Sequence, residues 1–188
     1  MNEKKQRILD AAITLFAKDG FWNTSTASIS KEAGVATGTL FNHFSSKDAL
    51  INAVYVSLKK EIHTSIMAIW QPDGTLKKNL LAAWSCVIHW GLKNQDRYDL
   101  MEQLRMSERV SQETREAMAA EFSAFQMDIQ MGVAEAVLEE LPVAYHMQAC
   151  AALMSATLIY LRSPEGGSAD PDALINSAFA AYWHGVAQ

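Results

Sequence analysis

The chain has 188 residues, 49% of them apolar and 20% charged, with a net charge of −5. That length suits one domain, or a small domain joined to a larger one, and the apolar share excludes global disorder. No run approaches the ~18 apolar residues of a membrane span.

Cys86 and Cys150 are the only cysteines, which argues against a disulfide framework and for a reducing, cytoplasmic setting. The opening "MNEKKQRILD" has charge but no apolar core behind it, unlike a signal peptide. Charge is uneven: residues 1–50 hold six basic and five acidic residues, net +1, and residues 51–188 hold ten and sixteen, net −6. A slightly basic head on an acidic body leaves one face open to a polyanion.

In chain order, Ile8, Ala11, Ala12, Leu15 and Phe16 fall at helical spacing, and Gly20 ends that run. "TSTASISKEAG" opens with Ser25 as a helix cap and stops at Gly34. A short helical stretch follows over about 37–44. Ser45 or Ser46 then caps a long helix, 47–70, with Asp48 in its first turn. Five more helices are predicted at 75–93, 95–107, 111–140, 143–162 and 171–187, with a flexible loop at "SPEGGSADP". Nothing alternates as strands do. The fold class is all-α, with about nine helices.

Two short helices joined at a glycine and braced by an earlier helix form a helix-turn-helix, whose second helix can enter a major groove. Ile29, Ala33, Val35, Leu40 and Phe44 are expected to face Ile8, Leu15 and Phe16. Thr37, Thr39, Asn42 and His43 are left facing outward, with Phe41 at the edge. Short polar side chains approach base edges closely, and Asn suits bidentate contact with adenine. A helical hairpin with a merely solvated polar face has the same periodicity.

The segment "FAKDGFWNTSTASISKEAGVATGTLFNHFSSKDAL" resembles the N-terminal domain of the TetR family of transcriptional regulators. The features that carry the resemblance are Phe16, Gly20-Phe21, Thr24-Ser25, Ile29, Ala33-Gly34-Val35, Gly38-Thr39-Leu40, Phe44, Ser46-Lys47-Asp48 and Leu50. The resemblance implies a DNA-binding domain over 1–46 and a ligand-binding and dimerisation domain over 47–188. It implies base-edge or nearby contacts from Ala36, Thr37, Thr39 and Asn42, and phosphate contacts from Ser25, His43 and Lys47. Two positions depart from the family pattern. Phe41 stands where Tyr is common, so it lacks a phosphate-binding hydroxyl, and Thr37 stands where a basic residue is frequent. Lys4, Lys5 and Arg7 are expected to compensate.

The body is expected to line an apolar effector cavity with Trp84, His89, Trp90, Tyr98, Met101, Phe122, Phe125 and Met154, because Met and aromatic walls with a few polar handles suit such a ligand. The family resemblance raises that reading over ordinary core packing. The stretches "ACAALMSATLIYL" and "LINSAFAAYWHGV" resemble the family's dimerising helices, so the expected partners are a second copy, an operator of double-stranded DNA and a small apolar or aromatic effector that releases the operator. No cofactor or metal is expected. One alternative is a metal- or redox-responsive sensor using His63, His89, His146, His184, Cys86 and Cys150, although no ligand spacing gathers them. Another is a helical small-molecule-binding protein with a weakened DNA-binding head. The chain lacks a nucleophile elbow, a phosphate-cradling loop and an acid/base pair, so an enzyme is not expected.

Overall fold

The computed structural model describes residues 3–188. It contains ten α-helices: α1 (Glu3–Asp19), α2 (Thr26–Glu32), α3 (Thr37–His43), α4 (Lys47–Met67), α5 (Leu76–Lys93), α6 (Gln95–Arg105), α7 (Gln112–Glu121), α8 (Ser123–Ala134), α9 (Val143–Leu161) and α10 (Pro171–Val186). The only β-pairing among the described residues is a single antiparallel bridge between Leu138 and Ala187. The all-α class is as expected from the sequence.

By packing, the chain forms two units. The first holds residues up to Glu61 together with Asn94–Ala119, and the second holds Ile62–Lys93 and Ala120–Gln188. The functional boundary drawn from sequence at 46/47 is a different line, because α6 packs against α1.

In the first unit, α1, α2 and α3 share a core of Ile8, Ala12, Phe16, Ile29, Leu40 and Phe44, each at most 5% exposed. Val35 and Leu15, expected inside, are half-buried. The turn between α2 and α3 is set by its hydrogen bonds. Gly34 adopts φ +64°, its N–H donates to the Lys31 carbonyl at 3.1 Å, and the Val35 N–H donates to the Ser30 carbonyl at 3.0 Å. This is a Schellman closure, which places its left-handed residue where glycine costs least. Arg115 donates to the carbonyls of Arg105 and Ser107 at 2.8 and 2.7 Å, which satisfies the open end of α6.

In the second unit, α5, α9 and α10 pack mutually and α8 joins α5 and α9. Aromatic rings fill the contact: Trp84 lies 5.6 Å from Phe179 and 5.4 Å from Tyr182, and Phe179 lies 6.1 Å from Trp183.

The structure corrects the single helix expected over 111–140. It divides at Phe122, where ψ is +13°, with the Phe122 ring 4.7 Å from His63. It also stops at Ala134. Ala136 takes φ +55°, and the Val137 and Leu138 amides both turn back to the Gly132 carbonyl. This frees Leu138, fully buried, to pair with the C-terminal segment, where the Glu139 N–H donates to the Val186 carbonyl at 2.7 Å. Burying Leu138 and closing that bridge outweighs continuing a helix through residues 133–140, which contain no glycine or proline to end it.

Candidate nucleic-acid interface

Helix α3 has only seven residues, too few to be stable alone. Leu40, fully buried, anchors it, and the Phe44 amide closes it on the Leu40 carbonyl at 2.9 Å. Lys5 lies over the Phe44 ring at 5.6 Å, so it braces the end of α3 from within α1. With Leu40 inside, the opposite side of α3 is solvent-facing. Ala36, Thr37, Gly38, Phe41 and Asn42 are exposed, and Thr39 and His43 are half-buried. Phe41 is 46% exposed, an aromatic edge beside the polar stripe. The structure therefore brings five of the sequence-selected residues, Thr37, Thr39, Phe41, Asn42 and His43, onto one short helix and Ala36 onto its N-cap.

Ser25 caps α2, its Oγ accepting the Ser28 N–H at 3.0 Å. The Ser25 hydroxyl also lies 3.1 Å from Ser28 Oγ, whose own proton goes to the Ser25 carbonyl at 2.7 Å. Lys47 opens α4, and its Nζ donates to the Trp22 carbonyl at 3.2 Å. An ammonium has three donors, so this contact positions the charge without consuming it. Ser46 accepts the Ala49 N–H at 3.0 Å, which identifies it as the cap of α4.

The eight residues selected for an effector cavity are more scattered. Tyr98 and Met101 are buried in the first unit, and the other six belong to the second. Trp84 is fully buried at the aromatic cluster. Phe125 meets Trp70 at 5.4 Å, Phe122 meets His63, and Trp90 and Met154 are half-buried. His89 faces outward: its side chain is 48% exposed and Nε2 lies 3.3 Å from the Asp172 carboxylate. Five residues after Trp84 on one helix, it points about 140° away from it.

Sequence reading missed Tyr182 and Phe179 as partners of Trp84, since "AFAAYWHGV" was read as a dimerising helix; the spacing 179, 182, 183 was the available signal. Trp84 Nε1, Tyr182 Oη and His146 Nδ1 are buried with no hydrogen-bond partner among the described residues. Burial pushes the Tyr182 phenol up, and the nearby Cys150 adds to this. Burial also pushes the Cys150 thiol up to about 12 and raises that of Cys86. Both are thiols at neutral pH and poor nucleophiles. A separate cleft of 490 Å³ in the second unit is lined in part by Thr75, Lys77, Asp128, Glu135 and Trp183, and includes none of the eight. Among the described residues, no three His, Cys, Asp or Glu side chains gather as metal ligands would.

A family model for bacterial regulatory proteins of the tetR family matches residues 8–54, the segment that builds α1 to α3 and the start of α4. The crystal structure of a tetR family transcription regulator from Shewanella sp. PV-4 is similar over 98% of both chains, with 32% identity and a TM-score of 0.89. The chain belongs to the TetR family of transcriptional regulators. Among curated relatives, the HTH-type transcriptional regulator YerO of Bacillus subtilis (strain 168) is 49% identical over 51 residues, which cover 27% of this chain and 18% of YerO. YvkB of the same organism is 35% identical over 88 residues, 47% of this chain and 45% of YvkB. These curated matches thus span less than half of either relative. The TetR-family assignment is that of a regulator class rather than an enzyme class. No helix of the described chain is long and apolar enough to cross a membrane.

Proposed function

We propose that this TetR-family protein reads a pseudo-palindromic operator as a homodimer and acts as a repressor released by a small apolar or aromatic effector. Residues 1–46 are assigned the reading of DNA, and residues 47–188 effector binding and dimerisation. The observation that carries the DNA-reading function is α3 itself: one buried leucine holds seven residues in place, and the opposite face presents Thr37, Gly38, Phe41 and Asn42 to solvent without a charged side chain. Such a face contributes base-edge contacts more than electrostatic affinity. Lys47, Ser25 and His43 flank it as phosphate donors.

Dimerisation is supported by α9, whose outer side carries Tyr145, Leu153, Ile159 and Tyr160, each at least 41% exposed. Ala152 and Ala156 lie exposed between them, and small residues admit a close helix neighbour. On α10, a methyl group added at Gly185 would meet nothing within 4 Å. Helices α9 and α10 of two copies would form a four-helix bundle. For the effector, the Trp84 indole N–H and Tyr182 hydroxyl, both buried without a partner among the described residues, are the polar handles of an otherwise aromatic surface. Trp90, Phe122, Phe125, Met154 and His89 of the same unit are the further candidates for lining it, while Tyr98 and Met101 belong to the first unit. Helix α4 begins in the first unit and ends in the second. An effector preferring the non-binding state by ~2–3 kcal/mol weakens operator binding ~30–150-fold.

The test is fluorescence anisotropy with DNA from upstream of the protein's own coding sequence, at two salt concentrations, with unrelated DNA as control. Binding that survives salt sufficient to remove the control establishes specific reading. Asn42→Ala should then cost about 1–3 kcal/mol on the operator alone, while Leu40→Ala should cost about 2–5 kcal/mol of stability and abolish both modes. Failure to bind any DNA at low salt would remove the proposal.

A further inference from the structure

Arg109 belongs to the loop between α6 and α7, yet its side chain is built into the first turn of α4. Its Nη1 donates to both carboxylate oxygens of Asp48, at 3.1 and 3.2 Å. The guanidinium lies 4.9 Å from the centroid of the Trp22 ring, close enough for cation–π attraction. The loop backbone is held there as well. Asn52 Nδ2 donates to the Arg109 carbonyl at 2.8 Å, and Asn52 Oδ1 accepts the Ser111 N–H at 2.9 Å. Trp22, 60% exposed, thus carries Arg109 against its ring and Lys47 on its carbonyl at 3.2 Å.

The arrangement resolves a conflict at the start of α4. Asp48 suits the positive end of the helix dipole, so it favours the helix. It also places an anion beside Lys47, the residue assigned to a DNA phosphate. A phosphate approaching Lys47 would be repelled by an unpaired Asp48. Arg109 pairs with that carboxylate and is itself 44% exposed on the side chain, so the pair adds no buried charge that must be matched elsewhere.

We propose that Arg109 is a positioning residue of the DNA-reading face: it neutralises Asp48 and stacks on Trp22, so that Lys47 meets the phosphate backbone without an opposing charge. The proposal rests on the DNA-reading function above. It makes the α6–α7 loop part of the DNA-binding head, although no sequence motif places it there.

The experiment uses the full chain and four proteins: wild type, Arg109→Gln, Asp48→Asn and the double variant. Each is titrated against operator DNA over a salt series, with thermal melts to confirm folding. Arg109→Gln should weaken binding about tenfold at low salt, the size of one uncompensated charge contact. Asp48→Asn should bind at least as tightly as wild type. The double variant should recover most of the loss, since no carboxylate remains to be neutralised. The proposal falls if Arg109→Gln binds like wild type. It also falls if the double variant stays as weak as Arg109→Gln while the salt slope drops by about one, which marks a direct phosphate contact instead. Should Arg109→Gln melt early, Asp48→Asn decides alone, and weaker binding by it overturns the proposal. A wild-type protein that binds no DNA overturns the DNA-reading function, and this proposal with it.

Discussion

Gly38 stands in α3 without a positive φ, and a methyl group placed on it meets nothing within 4 Å. The protein itself therefore has no conformational or steric need for glycine here. A helical glycine costs about 0.5–1 kcal/mol relative to alanine. Gly38→Ala is expected to raise stability by up to that amount while weakening operator binding, because the added methyl occupies the face proposed to meet the DNA. Paired thermal melts and anisotropy titrations check it, and unchanged affinity would place the closest approach elsewhere on α3. Cys150 yields a prediction of a different kind. Its folded pKa lies near 12 against an ordinary 9.0, so above pH 9 the unfolded chain releases a proton that the folded one keeps. Stability is whole below pH 9 and is lost as pH rises towards 12, by about 2 kcal/mol between pH 9 and 10.5 for this group alone. Urea melts of wild type and Cys150→Ala at those two pH values should show the steeper fall in wild type. Neither Gly38 nor Cys150 shows its surroundings in the sequence; only their residue types were legible.

At the scale of elements, helix starts were more legible than stops. Ser25, Ser46 and Asp170 cap α2, α4 and α10 through local hydrogen bonds to amides two or three residues ahead, and such contacts depend only on neighbours in sequence. Gly20 and Gly34 marked two ends by residue type. The end of α8 carried no such mark, because an alanine holds the left-handed position. Val137 donates to the Gly132 carbonyl at 2.9 Å and Ala136 to that of Val133 at 3.1 Å, the same closure that Gly34 makes with less strain. Ala136→Gly is therefore expected to stabilise the protein by about 1 kcal/mol, after allowing for the extra freedom of glycine in the unfolded chain. A rise in the urea midpoint at unchanged m-value would establish this, and a fall would mean that the alanine is relaxed there. The α6–α7 loop shows the same limit, because its link to α4 joins Arg109 to Asp48 across the chain.

At the scale of the whole molecule, the outer side of α9 is the feature that a single chain leaves unexplained. Ile159 is 65% exposed and Tyr160 47% on a helix whose other side buries His146, Cys150 and Leu158. Ile159→Lys should leave the monomer fold intact and weaken self-association by about 2 kcal/mol or more if this side forms the centre of the dimer. Sedimentation against concentration measures it, and an undisturbed dimer would move the interface off α9. Operator affinity should fall with self-association, since in the proposed dimer two heads would span half-sites about 34 Å or more apart.

The sequence by itself determined the all-α class, the helix-turn-helix and which residues α3 turns outward. Those features rest on short-range periodicity, caps and one left-handed glycine, all written within a few positions of one another. Only the tertiary structure decided that α6 and α7 pack with the head, that Arg109 pairs with Asp48, that Trp84 meets Tyr182 rather than His89, and that α8 ends at Ala134. Each depends on burial or charge pairing between distant residues. The free energy of such contacts belongs to the folded arrangement, so no local pattern announces it.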